Sequence, residues 1–132
     1  MVYLLDTNIV SDMMRDPDGK AARQFAHTGQ REIAISIIVA AELRYGVLRS
    51  GAIGLRRAAE GLLKRITVVP FDEPADKFYA EIRLQLERAG TPIGSNDTLI
   101  AAHALALDCT LVSGNEREFR RVKGLKVENW LR

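Results

Sequence analysis

The chain has a single cysteine, Cys109, in 132 residues. An internal disulfide is therefore excluded, no second thiol offers metal-ligand spacing, and thiol redox chemistry has no partner. Histidines number two, His27 and His103. Neither has an acidic neighbour at a useful spacing, so a histidine acid-base pair has no support. Aromatic residues are scarce at 6% while hydrophobic residues make up 47%, a balance that suits helices packed on a sheet better than disorder or an all-β sandwich. The longest apolar stretch, Ile33 to Ala41, is interrupted by Ser36 and is far shorter than the roughly 20 residues that span a bilayer. The first residues, MVYLLDTN, carry no basic leader and reach an acid at once, which does not read as a secretory signal. The expectation is a cytoplasmic protein with no membrane segment. The net charge of +2 is too small to imply nucleic acid by itself, although Arg117, Arg120, Arg121, Lys123 and Lys126 cluster late in the chain.

The length suits a single domain, 1–132, with every motif around one core. Val2 to Leu5 is a short apolar run closed by Asp6, after which Thr7 or Asn8 can cap a helix through Met14. Helical character resumes over Lys20 to His27, and a second strand is expected at Glu32 to Ile37. Val39, Leu43 and Val47 form one stripe of a helix over Ile38 to Arg49, and another helix follows at Leu55 to Arg65. Thr67 to Val69 reads as a third strand ended by Pro70, and Ala75 to Ala89 as an amphipathic helix stopped by Gly90. Ser95 to Leu107 is rich in Ala and Leu, with Ser95 or Asn96 placed to cap it. A strand at Thr110 to Ser113, a short helix at Glu116 to Phe119 and a last strand near Lys126 to Asn129 complete the pattern, with Trp130 expected over a sheet edge. Strands alternating with helices predict a three-layer α/β fold, a parallel five-stranded sheet with helices on both faces.

In such sheets, ligands bind beyond the carboxyl ends of the strands, where the strand order reverses. Asp6 follows the first strand, Asn115 and Glu116 follow the fourth, and Asp97 lies in a first helical turn, where it also serves the helix dipole. Glu42 falls in a segment that reads as largely buried, where a lone carboxylate needs a cation or a metal; Arg44 and Arg49 are its candidate structural partners. Asp6, Glu42 and Asp97 can thus surround one point. Clustered carboxylates of this kind suit Mg²⁺ or Mn²⁺, and the chemistry they support is metal-assisted phosphodiester hydrolysis. His103 stands about 240° around its helix from Asp97, which points to packing, and Cys109 reads as a small core residue.

Four blocks, YLLDTNIVSDMM, ISIIVAAELRYGVLRS, IGSNDTLIAAHALALD and TLVSGNEREFRRVKGLKVENW, together resemble the PIN-domain ribonucleases, and within them the VapC toxin branch. By position, Asp6, Glu42 and Asp97 match the metal-coordinating acids of that family, and Ser113 and Asn115 match its more variable fourth site segment. Asn115 stands where these proteins often carry an aspartate, which leaves open whether one or two metals bind and whether Glu116 compensates. The resemblance further implies an RNA substrate, a VapB-like antitoxin whose tail occupies the active-site groove, and a homodimer. Arg117, Arg120 and Arg121 would grip RNA phosphates near the mouth of the site, with Arg117 and Arg121 on one face if the short helix extends that far. The alternatives are a receiver-like phosphoacceptor, which needs an acidic pair after the first strand and a late lysine, and a catalytically inactive PIN-like binding module.

Overall fold

The computed structural model describes all of residues 1–132. Five strands, β1 (Tyr3–Leu5), β2 (Ile33–Ser36), β3 (Thr67–Val69), β4 (Thr110–Val112) and β5 (Val127–Glu128), form one parallel sheet in the order β3-β2-β1-β4-β5. Seven helices join them: α1 (Thr7–Arg15), α2 (Lys20–Thr28), α3 (Ile37–Ser50), α4 (Ile53–Arg65), α5 (Ala75–Arg88), α6 (Ser95–Ala106) and α7 (Glu116–Phe119). Leu4 and Leu5 of β1 and all four residues of β2 are buried. Neighbouring residues on a strand point to opposite faces, so burial of both means that the sheet is covered on both sides. This is the predicted α/β architecture. No helix is long and apolar enough to cross a membrane.

The chain runs outward from β1 through β2 to β3, then returns to place β4 on the other side of β1. Leu5 pairs with Val112, and the ladder continues as Asp6 N–H donates to the Val112 carbonyl at 2.8 Å. The residues that leave β1 and β4 therefore emerge side by side where the strand order reverses. On α3, the stripe Val39, Leu43 and Val47 is buried as its spacing predicts. Gly51 closes that helix at φ 70°, a left-handed conformation that glycine adopts without a Cβ penalty.

Several boundaries differ from the sequence reading, for local reasons. Neither Thr7 nor Asn8 caps α1; Asp6 does, accepting from Thr7 N–H at 2.8 Å. Glu32 belongs to a 3₁₀ turn, and Ile37 already starts α3, because the Ser36 hydroxyl accepts from Ile38 N–H and ends β2 there. At α6 the cap position is Gly94, and neither Ser95 nor Asn96 caps it. The Asn96 amide instead reaches across to Glu42. Trp130 is buried, packs edge-on against Tyr3 of the central strand with ring centroids 5.4 Å apart, and donates from Nε1 to Glu128 of the edge strand β5 at 3.2 Å.

Phe119 is the one buried residue of α7, at 0% exposure, and pins that short helix to the core. A four-residue helix has little stability of its own, so its position depends on this side chain. Phe119→Ala should cost about 3–5 kcal/mol, read as a lower urea midpoint at unchanged slope. A loss below about 1 kcal/mol would mean that α7 is held by its polar contacts instead.

Candidate active site

Asp6 is 6% exposed at the end of β1. Its two carboxylate oxygens are separately occupied: Oδ1 accepts from Thr7 N–H at 2.8 Å and Oδ2 from the Ser113 hydroxyl at 2.7 Å. Burial raises its pKa above the usual carboxylate value; the Ser113 and Thr7 hydrogen bonds oppose the shift, and Glu42 adds to it. Ser113 leaves β4 directly beside Asp6, and its Oγ also accepts from Asn115 N–H at 2.9 Å. One hydroxyl thus fixes both the acid of β1 and the turn after β4.

Glu42 projects from the second turn of α3 and is half-buried, not enclosed as the sequence suggests. Arg44 pairs with Glu60 at 3.0 Å and Arg49 makes no ion pair, so neither neutralises Glu42. Glu42 is held by neutral donors, the Thr7 hydroxyl at 2.6 Å and the Asn96 amide at 3.2 Å. Asp97 follows Asn96 in the first turn of α6, also half-buried. Its pKa is pushed up to about 6, first by burial and then by the charges of Asp6, Glu42 and Glu118, with a hydrogen bond from Asn115 opposing the shift. Asp6, Thr7, Asn8, Glu42, Asp97, Gly114 and Asn115 line a cleft of about 390 Å³ that contains no hydrophobic residue and no lysine or arginine.

Sequence reasoning missed Glu118. Asn115 lines the cleft with Asp97 and donates through Nδ2 to Glu118 Oε2 at 3.1 Å. Glu116 is turned away and cannot compensate for the amide at Asn115. It accepts from Arg120 at 2.8 Å, Arg132 at 2.8 Å and Asn129 at 3.1 Å, contacts that hold its pKa below the usual carboxylate range. The spacing of Glu118, three residues after Asn115 across the first turn of α7, was the available signal. The three arginines are also divided. Arg120 is committed to Glu116, Arg121 reaches the Pro92 carbonyl at 3.3 Å, and only Arg117 is exposed without an ion pair. Since α7 ends at Phe119, Arg117 and Arg121 do not share a helix face.

The donor set is suited to a hard cation: carboxylate, amide and hydroxyl oxygens, with no basic side chain in the cleft to offset their charge. As they stand, no three acidic, histidine or cysteine side chains converge on a common ligand point. Asp6 and Glu42 are each turned onto neutral donors.

The raised pKa of Asp97 has a measurable effect on folding in chelator. Between its unfolded value near 3.8 and its folded value of about 6, the native state binds the proton more tightly, so stability falls as pH rises through that window. The parent should therefore gain stability from pH 7 to pH 5. Asp97→Asn should be more stable than the parent at pH 7, with the advantage shrinking at pH 5 in urea titrations. Parallel profiles for the two proteins would remove the electrostatic account of the cleft.

A PIN-domain family model matches residues 3–125. Ribonuclease VapC2 of Rickettsia felis is 40% identical over 132 residues, covering 98% of each chain. The tRNA(fMet)-specific endonuclease VapC of Shigella flexneri is 35% identical over 129 residues, covering 97% of each. Among solved structures, the fold superposes on a chain of VapBC2 from Rickettsia felis bound to a promoter DNA fragment with a TM-score of 0.88, at 36% identity and covering 98% and 99% of the two chains. A chain of VapBC-1 from nontypeable Haemophilus influenzae gives 0.86 at 32% identity, covering both chains fully. A reversal point between β1 and β4, acids placed around it and these full-length likenesses lead to one assignment: the chain belongs to the PIN-domain family and, within it, to the VapC ribonucleases.

Proposed function

We propose that this chain is a Mg²⁺- or Mn²⁺-dependent endoribonuclease, the toxin of a toxin-antitoxin pair, that hydrolyses RNA in the cytoplasm and so inhibits translation. The observation that carries the reading is the cleft lined by Asp6, Glu42, Asp97 and Asn115, with no basic side chain in it. Asp6, Glu42 and Asp97 would hold the metal, with Glu118 behind Asn115 supplying the negative charge that the amide lacks. A divalent cation bound there supplies a water that is nucleophilic at neutral pH and positive charge opposite the phosphodiester.

The chain's own residues set up that site. Ser113 and Thr7 orient the two oxygens of Asp6 with one donor each, so neither oxygen is saturated. Thr7 and Asn96 hold Glu42 at the rim, and Asn115 holds Glu118. With a pKa of about 6, Asp97 readily gives up any proton it carries near neutral pH when a cation arrives. Exposed Arg117 is the side chain placed to contact a backbone phosphate, with weaker contributions from Arg121 and Arg120, whose guanidiniums are already engaged.

A VapB-like antitoxin and a second copy of the chain are the proposed partners. The cleft continues into an apolar groove of about 310 Å³ that shares Thr7 and Glu42 and adds Leu43, Val47 and Leu55. Beside it Tyr45, Leu48 and Ile53 are 65%, 67% and 70% exposed, large apolar groups of the kind a partner covers. A receiver-like phosphoacceptor is disfavoured because no lysine lines the cleft. The inactive-module alternative is decided by experiment.

Purified protein should cut RNA, transfer RNA included, with Mg²⁺ or Mn²⁺, stop in EDTA, and leave 5′-phosphate and 3′-hydroxyl ends. Cleavage that persists in chelator, or 2′,3′-cyclic phosphate products, would refute the mechanism. No cleavage under any condition would favour the binding module. Asp6→Asn, Glu42→Gln and Asp97→Asn should each lower the rate by more than about 100-fold, beyond what altering an outer partner of a ligand costs.

A second measurement addresses the arginines. Arg117→Ala should flatten the log-log salt dependence of RNA binding by about 0.7–0.9, one phosphate contact, and Arg120→Ala by much less. Equal slopes for Arg117→Ala and the parent would place the RNA on another surface.

A further inference from the structure

Helices α3 and α6 carry Glu42 and Asn96–Asp97, and they touch at two polar points. One is at the cleft, where Asn96 donates to Glu42 at 3.2 Å. The other lies inside the protein, where His103 Nδ1 and Ser36 Oγ are 2.8 Å apart. Ser36 is six residues before Glu42, and His103 is six residues after Asp97. The two ties are about 9 Å apart along α3 and, since Asn96 is seven residues before His103, about 10 Å apart along α6, with the helices running in opposite directions between them. Moving one tie pivots the other.

The internal tie is fully specified. Ser36 and His103 are 0% and 2% exposed, so neither reaches substrate or solvent and a serine-histidine nucleophile is excluded. The Ser36 hydroxyl already accepts from Ile38 N–H at 3.0 Å, capping α3, and so has its proton to give. The imidazole has the Pro70 carbonyl as its other polar partner. A carbonyl only accepts, so a neutral ring turns its N–H to Pro70 and receives the Ser36 proton at Nδ1. Phe71 packs edge-on to the ring at 5.3 Å between centroids and closes the pocket. One side chain thus joins the start of α3, the exit of β3 and the last turn of α6.

We propose that His103 is a positioning residue, which through Ser36 and Pro70 sets the crossing of α3 on α6 and hence the separation of Glu42 from Asp97. The effect on metal binding rests on the ribonuclease reading above; the effect on the helix crossing does not.

The test uses His103→Leu, which fills the space without polar groups, and His103→Gln, which retains an acceptor and a donor. Ser36→Ala removes one hydroxyl and serves as the second variant if His103→Leu fails to fold. The first readout is the NMR signal of the Asn96 side-chain amide in EDTA, which reports its hydrogen bond to Glu42 without metal. It should move towards the position of a free amide in His103→Leu and Ser36→Ala and stay near the parental position in His103→Gln. The second readout is Mn²⁺ affinity by calorimetry, together with kcat and KM. His103→Leu and Ser36→Ala should weaken Mn²⁺ binding and lower kcat by about tenfold at little-changed KM, and His103→Gln should recover most of both. A folded His103→Leu or Ser36→Ala with parental Asn96 signals, or with parental Mn²⁺ affinity and kcat and only a lower Tm, overturns the proposal. If the parent itself binds no Mn²⁺, the metal reading fails, and the Asn96 signals still decide the helix crossing.

Discussion

Carboxylates gathered around one small cleft with no basic residue among them repel one another, and the architecture near the carboxyl end of the sheet is arranged to contain that repulsion. Asp6 is bound by a hydroxyl and a backbone amide, Glu42 by a hydroxyl and a side-chain amide, and Asp97 lies beside Asn115 in the same cleft. Every restraint is a neutral donor. An arginine in any of these places would relieve the repulsion more strongly, but it would also occupy the position that a cation needs. The pKa of Asp97 is raised first by burial and then by the charges of Asp6, Glu42 and Glu118, which neutral donors do not cancel.

That arrangement depends on the sheet. Asp6 and Ser113 are brought together because β1 and β4 pair in register, Leu5 with Val112, so the next residue of each strand leaves at the same level. A slip of one residue would turn Asp6 to the opposite face and separate it from Ser113. The burial of Leu4, Leu5, Leu111 and Val112 fixes that register, so apolar packing below the cleft sets the distances between charges above it.

Ion pairing is placed outside the cleft. Glu116 gathers Arg120, Arg132 and Asn129, which fastens the last residues of the chain to α7 and keeps two arginines away from the acids. Asn115 and Glu116 are adjacent in sequence yet belong to different environments, one among carboxylates and one among guanidiniums. Arg44 and Glu60 similarly satisfy each other on α3 and α4, leaving Glu42 without a counter-ion.

The order of strands and helices, the buried stripe of α3, the placing of Asp6 and Asp97 and the exclusion of thiol and histidine chemistry follow from the amino-acid sequence, because each depends on periodicity or on a residue's position at the end of an element. The choice between Glu116 and Glu118, the release of Glu42 from Arg44, the role of Asn96 as a cross-link instead of a cap, and the joining of Ser36 to His103 were decided by the tertiary structure. For Glu42 the nearby Arg44 pairs elsewhere, and its partners Thr7 and Asn96 lie far along the chain. Which one a side chain meets is set by contacts between residues far apart in sequence, 54 for Asn96 and Glu42 and 67 for His103 and Ser36, and local propensity carries no information at that range.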